Sequence, residues 1–515
     1  MIYIFIISNI SAFISLLIYH THIFQLNSYN EIEENNWLRE NYYPILGRNL
    51  GLIISALFIF IFSFKFQVAG LIIATILNIL TAILNREKNS KIPLKYTNRV
   101  KRMLFTVCIM YIIMLLFLII DHNFLYFAVL EVICMITPYM LLLSNTINKP
   151  IEKHINDGFI NDAKRKINSM NNLTVIGVTG SYGKTSVKHI LGKLLSKDYN
   201  VLITPGNYNT TLGVVITIRE HLSPIHDIFV CEMGAKSLGE IKEICDIVNP
   251  RYGIITSIGM QHLETFLSLE NIITTKFELA EALPDSGTVF LNYDNEYIVN
   301  HHINKNIISY AVDNKNSNFV PYDLQVDENG SSFKLDIDNT PTSFKTKVIG
   351  KHNVLNITGC IAVAHELGVD TSTLIQRVAQ LEQVEHRQQI IKKDFGLIID
   401  DAYNSNPSGA KSALDTLSMF DMTKIVVTPG MIELGDKQYE LNKEFGKQIA
   451  DVADYIILVG KKQTLPIQDG IKEKNYDEKN LFIEESMQKA LSLAYTLKTD
   501  KQKAILIEND LPDNY

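Results

Sequence analysis

The residues best suited to chemistry lie in one run, Thr179-Gly-Ser-Tyr-Gly-Lys-Thr-Ser186. A β-branched stretch, Thr174-Val-Ile-Gly-Val178, precedes it, and an amphipathic helical pattern follows. Strand, loop and helix in that order make a phosphate-binding loop. Gly180 and Gly183 let the backbone turn its N–H groups, with those of Ser181 and Ser186, toward a phosphate, and the helix start adds a favourable dipole. Lys184 supplies a mobile positive charge for the β- and γ-phosphates, and the Thr185 hydroxyl can ligate Mg2+. Gly177 stands one residue too far from Gly183 for the generic GxxxxGK[ST] spacing, which leaves the shorter form T-G-x-x-G-K-T-S. The chemistry implied is the use of ATP with Mg2+.

Other polar residues recur after apolar runs. Glu232 closes the run 228–232 and is followed by Met-Gly-Ala; a carboxylate there lies on the side where parallel sheets bind ligands, and it can hold Mg2+. His262 follows the run 253–257 and is a second metal candidate, while Lys276 sits on a predicted helix. Asn353 and Asn356 are suited to a purine or another polar ligand. Arg387 is suited to neutralising a transferring phosphoryl group. Asp400-Asp-Ala-Tyr-Asn404-Ser-Asn-Pro407 has loop chemistry after a strand.

These residues need an α/β frame. Candidate strands at 174–178, 228–232, 253–257, 288–291, 397–400, 424–428 and 455–459 alternate with helical stretches such as 185–195 and 238–247. Strands separated by helices imply crossovers and a mostly parallel sheet. The segment 309–347 alternates without a helical pattern and is expected to form a small antiparallel excursion. A second, Rossmann-like α/β unit is expected to begin near residue 383. The predicted division is 1–148, 149–382 and 383–515.

The first part differs in kind. Apolar runs at about 2–24, 49–65, 67–84, 103–120 and 124–145 approach the ~20 residues that cross a hydrocarbon core. Arg86, Lys88, Lys91, Lys95, Arg99, Lys101 and Arg102 crowd the link between the third and fourth runs, a cytoplasmic signal. Five spans then put the N-terminus outside and everything after residue 146 in the cytoplasm, with the chain a multi-pass protein of the cell membrane. Asp121 and His122 stand at a span edge, and Glu131 is the lone carboxylate within a span. A net charge of −7 argues against a nucleic-acid partner, and five cysteines without ligand spacing argue against zinc or a disulfide frame.

As an ordered set the motifs resemble the Mur ligase family, most closely its D-alanyl-D-alanine-adding branch. They are the phosphate loop, Thr204-Pro-Gly-Asn207-x-Asn209, Glu232-Met-Gly-Ala, His262-Leu-Glu, Lys276, His352-Asn-x-x-Asn356, Arg387, Asp400-Asp-x-Tyr-Asn404-x-Asn-Pro407 and Met431-Ile-Glu-Leu-Gly435. The resemblance covers about residues 172–465. It implies ATP-dependent amide formation through an acyl phosphate. Lys184 and Thr185 would hold the phosphates and a first Mg2+, with Glu232 and His262 as metal ligands and Lys276 carbamylated to bind Mg2+. Asn353, Asn356, Arg387 and Asp401 would contact the nucleotide or couple two domains. Asn207, Asn209 and Asn404 would lie near the acceptor substrate. The family's UDP-gripping N-terminal domain has no counterpart, since the apolar runs take its place. A Lys-Gly-Ser-type turn is also missing near the end.

Three functions follow as expectations. The first is a membrane-anchored ligase that joins a muramyl peptide to an amine such as D-Ala-D-Ala. The second is a ligase acting on a lipid-linked envelope precursor or building a γ-linked capsule polymer. The third is an ATP-switched membrane transporter or scaffold.

Overall fold

The computed structural model describes residues 1–63, 65–86, 92–120, 124–261, 263–403 and 406–510. Lys88, Lys91, Asp121, His122, His262 and Asn404 therefore lie outside the described residues. Two compact units emerge, Met1–Asp157 and Gly158–Asp510.

The first unit is helical: Ile2–Leu26, Glu31–Glu40, Tyr42–Phe62, Gln67–Leu84, Asn98–Ile120, Tyr126–Met135 and the start of Thr137–Asn168. Among the described residues four of these helices are long and apolar enough to cross a membrane. The count rises to five if Tyr126–Met135 and Thr137–Asn168, bent by 71° at their junction, form one broken span. Side chains such as Phe5, Leu16, Leu52 and Val107 meet in its core. Glu131, which has no partner visible in the sequence, is fully buried and accepts hydrogen bonds from Asn9 Nδ2 (3.2 Å), Ser55 Oγ (2.8 Å) and Asn78 Nδ2 (2.9 Å). Three other helices thus satisfy one carboxylate, a polar contact of the kind that joins helices where no water competes.

The second unit holds three sheets. The first contains β1 (Thr174–Thr179), β2 (Val201–Ile203), β3 (Ile228–Glu232), β4 (Tyr252–Ile255), β5 (Thr288–Asn292) and β6 (Asn306–Tyr310). Its order is β2-β3-β1-β4-β5-β6 and every pair is parallel. Both faces are covered, so β3 and β5 are buried along their whole length, as parallel strands between helices must be. Lys184–Leu195 and Lys351–Glu366 pack one face around Leu191, Ile254 and Ile361. Thr211–Glu220, Glu240–Val248 and Leu269–Ala282 pack the other around Phe229, Ile244 and Phe277.

The antiparallel excursion begins later than expected. Residues up to Tyr310 finish β6 as a parallel edge, and only β7 (Tyr322–Asp327), β8 (Gly330–Ile337) and β9 (Thr340–Thr346) form the meander. The third sheet contains β10 (Gln389–Lys393), β11 (Gly396–Asp401), β12 (Thr423–Thr428), β13 (Tyr455–Val459), β14 (Leu481–Glu484) and β15 (Lys503–Glu508). Its order is β10-β11-β15-β12-β13-β14, parallel except for the antiparallel β10–β11 pair. The last strand of the chain is thus the centre of this sheet.

Candidate active site

β1, β3 and β4 are neighbours, so the loops after them open at one edge of the first sheet. The loop after β1 turns through Gly180 (φ +146°) and Gly183 (φ +83°), in the left-handed region that favours glycine. Gly180 is also enclosed: a Cβ there would lie 2.2 Å from Thr256 Oγ1. The segment after β4 fixes the loop from beneath. Ser181 N–H donates to Ser257 O (2.7 Å), Ser181 Oγ to Gly259 O (3.0 Å) and Ser257 Oγ to Tyr182 O (3.0 Å). Thr256 Oγ1 also donates to Tyr182 O. No side chain caps the helix that starts at Lys184, which leaves its first-turn amides for an anion.

Lys184 Nζ donates to the loop carbonyls of Gly180 (2.5 Å) and Ser181 (3.0 Å). Burial, set against the attraction of Glu232 and joined by the charge of Arg387, lowers its ammonium to about 8. Thr185 Oγ1 donates to Glu232 Oε1 (3.1 Å), and Asn209 Nδ2 donates to the same oxygen (3.0 Å). The other carboxylate oxygen, Oε2, pairs at 2.8 Å with Lys188 Nζ, and both side chains are almost wholly enclosed (0% and 2% exposed). Burial pushes the Glu232 carboxyl up, but Lys188, Lys184 and Asn209 together outweigh it and hold the group below its ordinary range. Breaking a buried pair of this kind by removing one partner costs about 3–5 kcal/mol.

Lys276, on Leu269–Ala282, is buried with its Nζ 5.6 Å from the centre of the Phe266 ring. Burial, reinforced by the charge of Lys184, lowers its ammonium to about 7. A lysine there is partly neutral near neutral pH and is nucleophilic.

The other side of the site comes from the third sheet and the segment leading to it. His386 and Gln388 have positive φ (57° and 50°), and Arg387 stands between them. Arg387 Nη1 donates to Tyr403 O (2.9 Å) and its guanidinium lies 4.9 Å from the centre of the Tyr403 ring. Burial raises the Asp401 carboxyl, against the pull of Arg387. His386 Nδ1 contacts Asp400 Oδ2 at 2.7 Å. Asn207 Nδ2 reaches from the first-sheet loops to Tyr403 Oη (3.2 Å). Thr185, His189, Asn207, Glu385, Arg387 and Tyr403 are among the residues around the resulting cleft of about 680 Å³.

The two asparagines on Lys351–Glu366 do different things. Asn356 stands against the phosphate loop, since a Cβ on Gly183 would meet its Oδ1 at 3.0 Å. Asn353 Nδ2 donates to Ile349 O (2.8 Å) at the start of its own helix. His352 is half-buried and contacts Ser412 Oγ at 2.6 Å, with its imidazole lowered by desolvation to about 4, so this link to the helix Pro407–Ser418 uses a neutral ring.

The structure therefore brings Gly180, Ser181, Gly183, Lys184, Thr185, Ser186, Asn209 and Glu232 to one sheet edge. Lys276 and Arg387 act electrostatically on Lys184 or receive its field, and Asn207 lies at the cleft. Sequence reasoning missed Lys188, Thr256 and His189, and it quoted Tyr403 only within the motif Asp400-Asp-x-Tyr-Asn404, without a role of its own. Lys188 carried a signal, since it stands four residues after Lys184 and so on the same helical face.

Thr185 Oγ1 and Glu232 Oε1 are hard oxygen donors at hydrogen-bond distance, which suits Mg2+, an ion usually held by one or two carboxylates plus phosphate oxygens. Among the described residues no group of three or more His, Cys, Asp or Glu side chains is placed to hold a metal by itself.

Residues 178–364 match the Mur ligase middle domain, and residues 386–508 match the Mur ligase glutamate ligase domain. The chain is 30% identical over 338 residues to UDP-N-acetylmuramoyl-tripeptide–D-alanyl-D-alanine ligase of Bacillus subtilis, spanning 65% of this chain and 72% of that one. It is 29% identical over 293 residues to the Escherichia coli enzyme of the same name, spanning 56% and 65%. Among solved structures it is similar to MurF from Acinetobacter baumannii, with TM-score 0.62, 26% identity, and 69% and 77% of the two chains covered. MurF ligase from Thermotoga maritima in complex with ADP gives 0.59, 26%, 69% and 80%.

Proposed function

The chain belongs to the Mur ligase family, and on that premise we propose that it is an ATP-dependent amide ligase joining a muramyl-peptide carboxylate to a D-Ala-D-Ala-type amine. The observation that carries the reading is a phosphate loop whose Thr185 hydroxyl meets the metal-competent Glu232 carboxylate at 3.1 Å, with the ammonium of Lys276 lowered by burial and by the charge of Lys184. Two named relatives add D-alanyl-D-alanine, and one solved relative holds ADP.

In this reading the substrate carboxylate attacks the γ-phosphorus, ADP leaves, and an acyl phosphate forms. The amine then attacks the acyl carbon, phosphate leaves with one oxygen of the former carboxylate, and the amine loses a proton. The protein's part is alignment and charge neutralisation. The loop amides and Lys184 hold the phosphates, while Arg387 brings a second cation from the facing sheet. Asn356, Asn353 and Asp401 serve the nucleotide or the coupling of the sheets, and Asn207, Asn209 and Asn404 serve the acceptor. Mg2+, when bound, supplies charge compensation at the phosphate oxygens, and Thr185, Glu232 and His262 would hold it. The neutral Lys276 amine adds CO2, forming an N–C bond and releasing a proton, and the resulting carbamate would offer a negative oxygen donor to the metal.

The four apolar helices that precede the family match favour a second substrate form, a lipid-linked precursor or a γ-linked capsule polymer. We place the helical region at 1–148 in the cell membrane, with 149–382 and 383–515 as cytoplasmic catalytic domains. An ATP-switched transporter has no use for a buried lysine whose basicity is lowered within the field of the phosphate-loop Lys184, which disfavours it. The test is ADP release by the purified protein across a panel of UDP- and lipid-linked muramyl peptides, with and without candidate amines. Release that needs both a carboxylate and an amine supports a ligase, and release indifferent to both rejects it.

A further inference from the structure

We propose that Lys188 is an internal counter-ion for Glu232, so that the divalent metal enters this site only together with nucleotide. The inference rests on the reading of Glu232 as a metal ligand.

Lys188 Nζ touches two groups at once, Glu232 Oε2 at 2.8 Å and the Gly206 carbonyl at 2.7 Å. The carbonyl holds the ammonium where it is, because swinging away would break both contacts inside a closed space. Glu232 Oε1 is meanwhile occupied by Thr185 Oγ1 and Asn209 Nδ2. Both oxygens of the carboxylate are thus engaged, and its charge is already balanced.

The local charge makes the consequence specific. Lys188 lies one helical turn beyond Lys184, on the same face, and both act on Glu232. While Lys276 is uncarbamylated, two ammonium groups against one carboxylate leave a net positive site. A bare divalent cation arriving from water is repelled there, since buried charges are weakly screened. A nucleotide's phosphates at the loop reverse the sign, and the metal then binds with them. Glu232 Oε1, the oxygen not paired with Lys188, is the one that turns to the metal. Lys188 acts through Glu232 and is a positioning residue.

The test is Mn2+ binding to the full-length, detergent-solubilised protein, read from the free-ion paramagnetic resonance signal, without nucleotide and with ADP. Lys188→Met is expected to bind nucleotide-free Mn2+ at least about tenfold more tightly than wild type, because a unit positive charge near the metal site has gone. Lys188→Met with Glu232→Gln should return to weak binding. A variant that is merely destabilised has no reason to gain a metal site. Equal nucleotide-free affinity in wild type and Lys188→Met overturns the proposal, as does tight binding that survives in the double variant.

If Lys188→Met does not fold, wild type and Glu232→Gln decide the matter. Equally weak nucleotide-free binding in these two, with Mn2+–ADP binding weakened only in Glu232→Gln, supports the proposal. Tight nucleotide-free binding in wild type that Glu232→Gln removes overturns it. Unchanged Mn2+–ADP binding in Glu232→Gln instead removes Glu232 from the metal site, and the proposal with it, while leaving ligase activity to its own assay.

Discussion

Lys276 is buried and Lys184 half-buried, and burial lowers the basicity of both, yet their surroundings assign them different work. Lys184 turns to loop carbonyls that a phosphate would replace, whereas Lys276 sits beside an aromatic ring with its basicity lowered to about 7. Lys276→Ala is expected to cut amide formation at least ~100-fold, the scale of losing one preorganised electrostatic group. Formate or acetate should restore part of the rate by standing in for the carbamate, as measured by ADP release. Turnover in bicarbonate buffer should rise as pH climbs through about 7, because only the neutral amine takes up CO2; a flat profile there would remove the carbamate. The sign for stability agrees: the folded lysine releases its proton before the unfolded one does, so uncarbamylated protein gains stability with pH above about 7. The turn of the phosphate loop was legible from the sequence because it is set by local spacing, and Gly180 and Gly183 take the positive φ that such a turn requires. The pairings of Lys188 with Glu232 and of Tyr403 with Asn207 were not, since the partners are distant in the chain and only the fold brings them near.

At the scale of elements, the phosphate loop depends on what lies under it. Gly180→Ala places a methyl group against Thr256 Oγ1 and adds left-handed strain of about 1–3 kcal/mol. ATP binding, followed by calorimetry, is expected to weaken at least ~tenfold, since 1.4 kcal/mol is a factor of ten. Tyr403→Phe removes the hydroxyl that meets Asn207 and leaves the ring beneath Arg387, so only one link across the cleft is lost. A rise in the KM for ATP of a few fold is expected, from a hydrogen bond worth about 0.5–1.5 kcal/mol. Sequence patterns identified the long buried strands β3, β12 and β13. The three-residue edge strand β2 was too short to show a period, and β15 was passed over although Ala504-Ile-Leu-Ile507 is apolar throughout. Its central place follows from pairing with β11 and β12, which no local pattern records.

For the whole molecule, the surface of the helical unit is what bears on location. Ile61, Leu84, Phe105 and Phe117 expose large apolar side chains on long helices, a pattern that is stable only if hydrocarbon or another apolar partner covers them. The protein is expected to remain with membranes through alkaline carbonate washing and to leave them with detergent. Recovery in the aqueous wash would contradict the spans. The apolar runs were legible as composition, and so was the α/β class. The bend between Tyr126–Met135 and Thr137–Asn168 was not, because hydropathy reports length and not direction. The central claim, amide formation through an acyl phosphate, is tested most directly by isotope transfer. Purified protein is supplied with ATP, an amine and the muramyl-peptide carboxylate bearing 18O, and the released phosphate is analysed by mass. One 18O in each phosphate, matched to amide formed, is the expected result. Unlabelled phosphate, released at the same rate without the carboxylate or the amine, would contradict it.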